Sequence, residues 1–216
     1  LYIQGYGIAK DENKAMVLFK ECAEGIRKLA EQNDAQAQVF LGTMYAKGAG
    51  VPKNPKEAVK WYRKAAEQGY AEAQYAVAIL FRGTTGVPTD MNQARRWYQA
   101  AAAQGHAAAL ASLRYLASEG DGAAFYALGV LNRDGLGVPR DLAKARRAFL
   151  WASEAGHIAA LFAAADMLLN GSGGTTDIDA AHAAYEQVVS LCQSALKIGG
   201  EGDNSDIIAA DIRTAA

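Results

Sequence analysis

Apolar residues recur along this chain with the spacing of an α-helix face, in paired segments that glycines separate. The first clear segment runs from about Ala35 to Lys47, where the apolar side chains follow positions i, i+4, i+7 and i+8 from Ala37. Glycines follow it, and glycine accepts the left-handed conformation at a helix end. A second apolar stripe lies between Pro55 and Gln68. The pattern therefore predicts two packed helices, here called helix A and helix B.

This helix pair repeats along the chain. The tripeptide Gly-Val-Pro at 50–52 recurs 36 residues later at 86–88, and Trp61 and Tyr62 recur as Trp97 and Tyr98. A period of this length is typical of a solenoid, in which each repeat buries its apolar face by stacking on its neighbours. The next Gly-Val-Pro, at 137–139, comes 51 residues after the second. The 15 additional residues predict one extra helix.

The repeat predicts an all-α fold with one elongated domain. Its predicted parts are a partial repeat with a lengthened helix B (1–33), repeat 1 (34–69), repeat 2 (70–105), the extra helix (106–120), repeat 3 (121–156), a degenerate repeat 4 (157–198), and a loop with a C-terminal capping segment (199–216). The extra helix resembles a helix A without a helix B of its own. In repeat 3, Ala148 stands where repeat 1 has Trp61, and Trp151, one turn further on, is placed to refill that space.

Composition narrows the class of partner. The chain has 216 residues, 51% hydrophobic and 21% charged, with a net charge of -1, which does not favour nucleic-acid binding. Residues 1–155 carry 20 basic and 15 acidic side chains, whereas 156–216 carry 2 and 8. Either the acidic end is simply solvated or it steers a charged partner.

No apolar run reaches the length of a membrane span. Because the chain opens at Leu1, we expect a trimmed N-terminus.

The repeated residues resemble those of the Sel1-like repeat, a relative of the tetratricopeptide repeat. In repeat 1 they are Ala37, Leu41, Gly42, Tyr45, Gly48, Gly50, Val51, Lys56, Ala58, Trp61, Tyr62, Lys64, Ala65, Ala66 and Gly69. The resemblance implies a right-handed α/α solenoid of about four Sel1-like helix-turn-helix repeats plus the extra helix. It places helix A on the concave side and helix B outside. It also implies adaptor or assembly roles, which are frequent in bacterial envelopes and signalling and in endoplasmic-reticulum quality control.

If the tetratricopeptide layout applies, three positions of each helix A face a concave groove. The first position holds Val39, Tyr75, Tyr126 and Phe162; the second holds Thr43, Ile79, Val130 and Asp166; the third includes Arg82 and Arg133. These ten residues are the candidate partner-binding residues. Apolar side chains beside arginines suit an extended peptide or an inserted helix that carries carboxylates. The alternative is that the tyrosines pack between neighbouring helices A.

Residues that carry chemistry are sparse, and no cofactor, metal or catalytic residue is predicted. His106 and His157 occupy the same position after a glycine turn, which favours a structural role. One face of a predicted helix presents Asp179, His182 and Glu186. A metal site needs more convergence than one exposed helix offers. Ser-x-x-Lys at 194–197 matches penicillin-recognising enzymes but lacks their companion motifs, so chance explains it better.

Three hypotheses about function remain open at this stage. The first is a non-catalytic scaffold that binds a protein or peptide in its concave groove, without nucleic acid or membrane insertion. The second is a cell-envelope hydrolase or a β-lactam-binding enzyme, but cysteine-rich Sel1-like proteins of that kind carry paired cysteines in each repeat, and this chain has only Cys22 and Cys192. The third is an architectural module of a larger chain. The compartment is unknown; the resemblance favours the bacterial periplasm or cell envelope.

Overall fold

The computed structural model describes residues 12–83 and 87–198, with side chains from 21 to 83 and from 87 to 194. These ranges contain helices and turns and no β-strand. The helices are α1 (Glu12–Glu31), α2 (Ala35–Lys47), α3 (Pro55–Glu67), α4 (Ala71–Phe81), α5 (Met91–Ala103), α6 (Ala107–Ser118), α7 (Gly122–Asp134), α8 (Leu142–Glu154), α9 (Ile158–Leu169) and α10 (Ile178–Ile198). The predicted all-α repeat fold is confirmed.

The helix bounds follow from local capping chemistry. The predicted helix A of repeat 1 coincides with α2, which starts where the Asp34 carboxylate accepts a 2.7 Å hydrogen bond from the Ala37 amide. It ends at Gly48, whose φ of 77° is left-handed. The first helix B was predicted to be lengthened, and α1 has 20 residues where α3 has 13. The capping segment expected over 199–216 lies outside the described residues.

The chain divides into two compact units, residues 1–101 and 102–216. In the first unit, α1, α2 and α3 enclose a small core of Ala30, Ala37 and Leu41. In the second unit, α8 and α9 enclose a core around Phe149, against which α7 side chains pack. Alanines dominate both cores, so the helices approach closely and large side chains are few.

The extra helix, α6, was expected to resemble a helix A without a helix B of its own. It follows α5 through Gly105, whose φ is 85°, as α9 follows α8 through Gly156 with a φ of 83°. It joins α7 through Gly120 with a φ of 87°, as α3 joins α4 through Gly69 with a φ of 88°. It therefore precedes α7 in the way that a helix B precedes the next helix A. Its Arg114 stands in the same register to α7 as Arg27 of α1 stands to α2.

In repeats 1 and 3 the helix pair is held by an aromatic ring of helix B placed over a glycine of helix A, whereas repeat 2 has Ala78 at the same position. A Cβ built on Gly129 would lie 2.5 Å from Phe149 Cε1, and one on Gly42 would lie 2.9 Å from Tyr62 Cδ1. Phe149 is fully buried, so its ring has little room to move aside. In these two repeats, glycine therefore allows the two helices to approach to the observed distance. No described helix combines the length and the apolar character that crossing a membrane requires.

We predict that Gly129→Ala destabilises the protein by about 1–3 kcal/mol, because the added methyl group overpacks a rigid contact with Phe149. Gly25→Ala is the matched control, since it also lies in a helix but a Cβ there meets nothing within 4 Å. The control is expected to stabilise by about 0.5–1 kcal/mol through helix propensity. Urea unfolding measures both changes. Equal effects of the two substitutions would contradict the packing role of Gly129.

Candidate partner-binding surface

In the first unit, the predicted groove positions are partly used for packing. The Thr43 hydroxyl donates a 2.9 Å hydrogen bond to the Val39 carbonyl and lies 2.9 Å from the Tyr62 hydroxyl. Burial raises the pKa of Tyr62, and the Thr43 contact lowers it in part. Tyr75 is half-buried, with its ring centroid 5.8 Å from that of Tyr98. Thr43 thus supports the helix pair, while Tyr75 keeps part of its ring exposed.

In the second unit, Tyr126 is held between two rings. It stacks on His157 with centroids 4.5 Å apart and planes 16° apart, and it lies 5.6 Å from the ring of Phe149. Its side chain remains half-buried. Val130, one turn further along α7, packs against the same core. Tyr126 is therefore a pre-positioned aromatic side chain that both packs and faces solvent.

Arg133 is the cation of this surface, and it already has an anionic partner. Its guanidinium donates two hydrogen bonds to the Asp134 carboxylate, at 2.7 and 3.0 Å, and it lies 5.8 Å from the Phe149 ring centroid. These hydrogen bonds raise the pKa of Arg133, and the charge of Asp166 raises it further. The hydrogen bonds from Arg133 lower the pKa of Asp134. A carboxylate of a partner would therefore share Arg133 with Asp134.

Phe162 and Asp166 complete the surface on α9. Phe162 is 45% exposed, and its ring meets Tyr185 edge to face at 5.6 Å. Asp166 accepts a 3.0 Å hydrogen bond from the Asn170 amide. Burial raises the pKa of Tyr185, and the nearby charge of Asp166 adds to that rise. The second unit thus places Tyr126 and Arg133 on α7 and Phe162 and Asp166 on α9. The charge of Asp166 acts on Arg133, and Phe162 and Asp166 both lie near Tyr185.

Sequence reasoning missed a second concave feature of the second unit. A groove with a volume of about 420 Å³ lies among α6, α7, α8 and the loop that joins α7 to α8. Trp151 was expected to refill the space beside Ala148; instead it is 49% exposed and packs on Phe125 with centroids 5.5 Å apart. Both Ala148 and Trp151 line the open groove. The sequence signal for this groove is the replacement of the tryptophan of repeats 1 and 2 by Ala148 in repeat 3.

The remaining candidates for chemistry have structural surroundings. His106 and His157 each accept a 3.2 Å hydrogen bond through Nδ1, from the amides of Ala109 and Ala160, and so cap α6 and α9. His182 Nδ1 and Glu186 Oε1 lie 3.6 Å apart on exposed side chains. Among the described residues, no group of three potential metal ligands converges.

Comparisons with known proteins agree on the repeat. The family model described as "Sel1 repeat" matches residues 1–25, 35–70, 71–106, 123–157 and 158–185, and α6 lies entirely between two of these segments. A Sel1 repeat protein from Oxalobacter formigenes is 30% identical, covering 80% of this chain and 77% of that one, with a TM-score of 0.43. The c5321 protein, a protective antigen present in uropathogenic Escherichia coli strains that displays an SLR fold, is 31% identical over 87% of this chain, with a TM-score of 0.41. This chain spans only 43% of c5321. No curated protein is significantly similar to it.

We predict that His157→Ala lowers the free energy of unfolding by about 1 kcal/mol, because it removes both the cap of α9 and the ring beneath Tyr126. His157→Asn is the matched control, since an asparagine side chain also caps helices. It is expected to recover most of the capping contribution. Urea unfolding of the two variants separates the roles. If both lose the same stability, the side-chain cap contributes nothing measurable.

Proposed function

This chain belongs to the Sel1 repeat family, and we propose that it is a non-catalytic scaffold that binds an extended segment of a partner protein along its helices A. Sel1 repeats are commonly protein-interaction scaffolds. Their function therefore depends on the side chains that each chain presents on its helices.

One observation carries the proposal: the first groove position holds an apolar or aromatic side chain that is held in place but only partly covered. Tyr75 lies on Tyr98 in the first unit, and in the second unit Tyr126 lies on Phe149 and Phe162 on Tyr185. Rings that are fixed before binding lose little conformational entropy on contact with a partner. Aromatic side chains also dominate the energetics of most protein interfaces. These rings are therefore the expected anchors for a partner segment.

Charge at the third position gives a finer expectation about the partner. Arg82 is exposed at the end of α4, and Arg133 occupies the same position on α7. A partner segment with carboxylates next to its apolar residues would complement either arginine. At Arg133 the gain is reduced, because Asp134 already binds the guanidinium. Apolar contacts therefore carry most of the proposed affinity.

The enzymatic alternative has less support from the side chains. Ser194, the serine of the Ser-x-x-Lys motif, donates its hydroxyl hydrogen bond to the Ser190 carbonyl at 2.9 Å, as serines inside helices often do. A nucleophilic serine instead needs a base within hydrogen-bonding reach. We therefore assign the surface formed by helices A a binding role rather than a catalytic one.

The proposal predicts that Phe162→Ala weakens partner binding about 30-fold, the effect of losing roughly 2 kcal/mol at an aromatic anchor. Phe40→Ala is the matched control, because Phe40 is also an exposed phenylalanine on a helix A, next to the groove position rather than at it. Partners captured from the source organism with the wild-type chain would be titrated against both variants by calorimetry. Circular dichroism checks that helicity is intact.

A partner that binds Phe162→Ala and Phe40→Ala equally well would place the binding site elsewhere. A double variant, Tyr75→Ala with Tyr126→Ala, extends the test to both units. Retention of wild-type affinity by all of these variants would overturn the proposed surface.

A further inference from the structure

Equivalent positions of repeats 1 and 3 differ in the space between the repeat and the preceding helix. In repeat 1, Tyr45 and Trp61 fill the space between the repeat and the preceding helix, packing against the core of Ala30, Ala37 and Leu41. The Tyr45 hydroxyl also accepts a 3.0 Å hydrogen bond from Arg27 on that preceding helix. Two large aromatic side chains therefore close this space in the first unit.

In repeat 3 both aromatic residues are replaced by small ones. Asn132 stands at the position of Tyr45, and Ala148 stands at the position of Trp61. Asn132 turns back to its own helix, where its amide donates a 2.7 Å hydrogen bond to the Leu128 carbonyl. Leu128 is half-buried, whereas its counterpart Leu41 is fully buried. The groove of about 420 Å³ is thus the volume that the two missing aromatic side chains leave open.

The walls of this groove are apolar, and its rim is aromatic. Leu110 and Leu128 line it, and Trp151 stands at one side with about half of its surface exposed. A volume of this size admits a few side chains but not a whole helix. The shape therefore suits one bulky apolar side chain that projects from a partner segment.

Positive charge surrounds the same opening. Four cationic side chains line the groove, Arg114, Arg140, Lys144 and Arg147, against one carboxylate, Asp141. Asp141 pairs with Lys144 at 2.9 Å. Within the described part of the chain, Arg114 and Arg147 have no ion pair or hydrogen bond, so their charge is available to a ligand.

Repeat 1 carries cations at three of these four positions, but in different surroundings. Arg27, Lys53 and Lys60 stand at the positions of Arg114, Arg140 and Arg147. Arg27 donates a hydrogen bond to the Tyr45 hydroxyl, and Lys60 pairs with Glu57, the counterpart of Lys144. Repeat 3 therefore combines the opening with a fourth cation and with two arginines, Arg114 and Arg147, that have no such partner within the described residues.

We infer that this groove binds an acidic peptide segment of a partner protein, which inserts one bulky apolar side chain beside Ala148 and places carboxylates against Arg114 and Arg147. The net charge of the whole chain, -1, gives little long-range attraction for a polyanion such as nucleic acid. A short peptide needs only the local cations and the apolar cavity. The site uses Phe125, Leu128 and Asn132 of α7 rather than Tyr126, Val130 and Arg133, so it is separate from the proposed groove on helices A.

The test uses a fluorescein-labelled probe peptide of glutamates around one central leucine, titrated with the full chain by fluorescence anisotropy. Ala148→Trp restores the tryptophan found at the same position in repeats 1 and 2, and it is expected to weaken probe binding at least about tenfold by filling the cavity. Arg114→Gln combined with Arg147→Gln is expected to weaken it by a similar factor.

The matched control, Lys60→Gln with Arg96→Gln, removes two charges at the positions in repeats 1 and 2 that correspond to Arg147. It is expected to leave probe affinity within about twofold of the wild type, the small effect of remote charges in salt. A second probe, with serine in place of leucine, is expected to bind at least about tenfold more weakly because it lacks the apolar anchor.

Wild-type affinity in Ala148→Trp, or equal binding of the serine probe, would overturn the inference. If Ala148→Trp loses helicity, the arginine pair and the serine probe decide the question. A single-stranded oligonucleotide that displaces the probe at lower concentration than the probe's own unlabelled form would make the groove a polyanion site. A peptide of residues 199–216 that does so would assign it to the chain's own acidic segment. Either result would replace the inferred partner.

Discussion

The contact on which helix packing in repeats 1 and 3 depends is an aromatic ring of helix B seated on a glycine of helix A. In repeat 3 the ring is Phe149 and the glycine is Gly129; in repeat 1 they are Tyr62 and Gly42. Since a methyl group on either glycine would overlap the ring, the contact sets how closely the two helices pack. It also fixes the rotation of helix A, because only one of its faces carries the glycine. The residues that remain for a partner are determined by that rotation.

The same ring links packing to binding. Its outer face supports the side chain at the first groove position, as Phe149 supports Tyr126 and as Tyr98 supports Tyr75. Packing and binding are therefore physically compatible roles for these tyrosines. A ring that packs on one side is immobilised, and an immobilised ring presents its other side at low entropic cost. Under the proposed function, packing and recognition use opposite faces of one side chain.

The parts of this architecture that sequence could predict are those that repeat. Helix bounds such as those of α2 follow from one capping carboxylate and one left-handed glycine, both visible in the sequence. The pairing of Arg133 with Asp134 was not predictable, because it depends on side-chain rotamers and not on the period. The groove in repeat 3 was missed for another reason. It arises from what Asn132 and Ala148 lack relative to Tyr45 and Trp61, and the sequence offered Trp151 as a replacement that the structure places at the rim.

A cavity of this kind has a thermodynamic meaning beyond its shape. Deleting a large side chain from a packed position costs both the lost transfer energy and the energy of the void, about 3–5 kcal/mol for tryptophan or phenylalanine to alanine. Repeats 1 and 2 keep the tryptophan at this position, so the fold itself does not require alanine there. A residue that gives up this stabilisation, beside Arg114 and Arg147, which have no ion pair or hydrogen bond within the described residues, resembles the exchange of stability for function that binding sites commonly show. Under the inferred binding role, the demands of packing and of binding therefore differ in repeat 3, and Ala148 is the residue at which they can be separated.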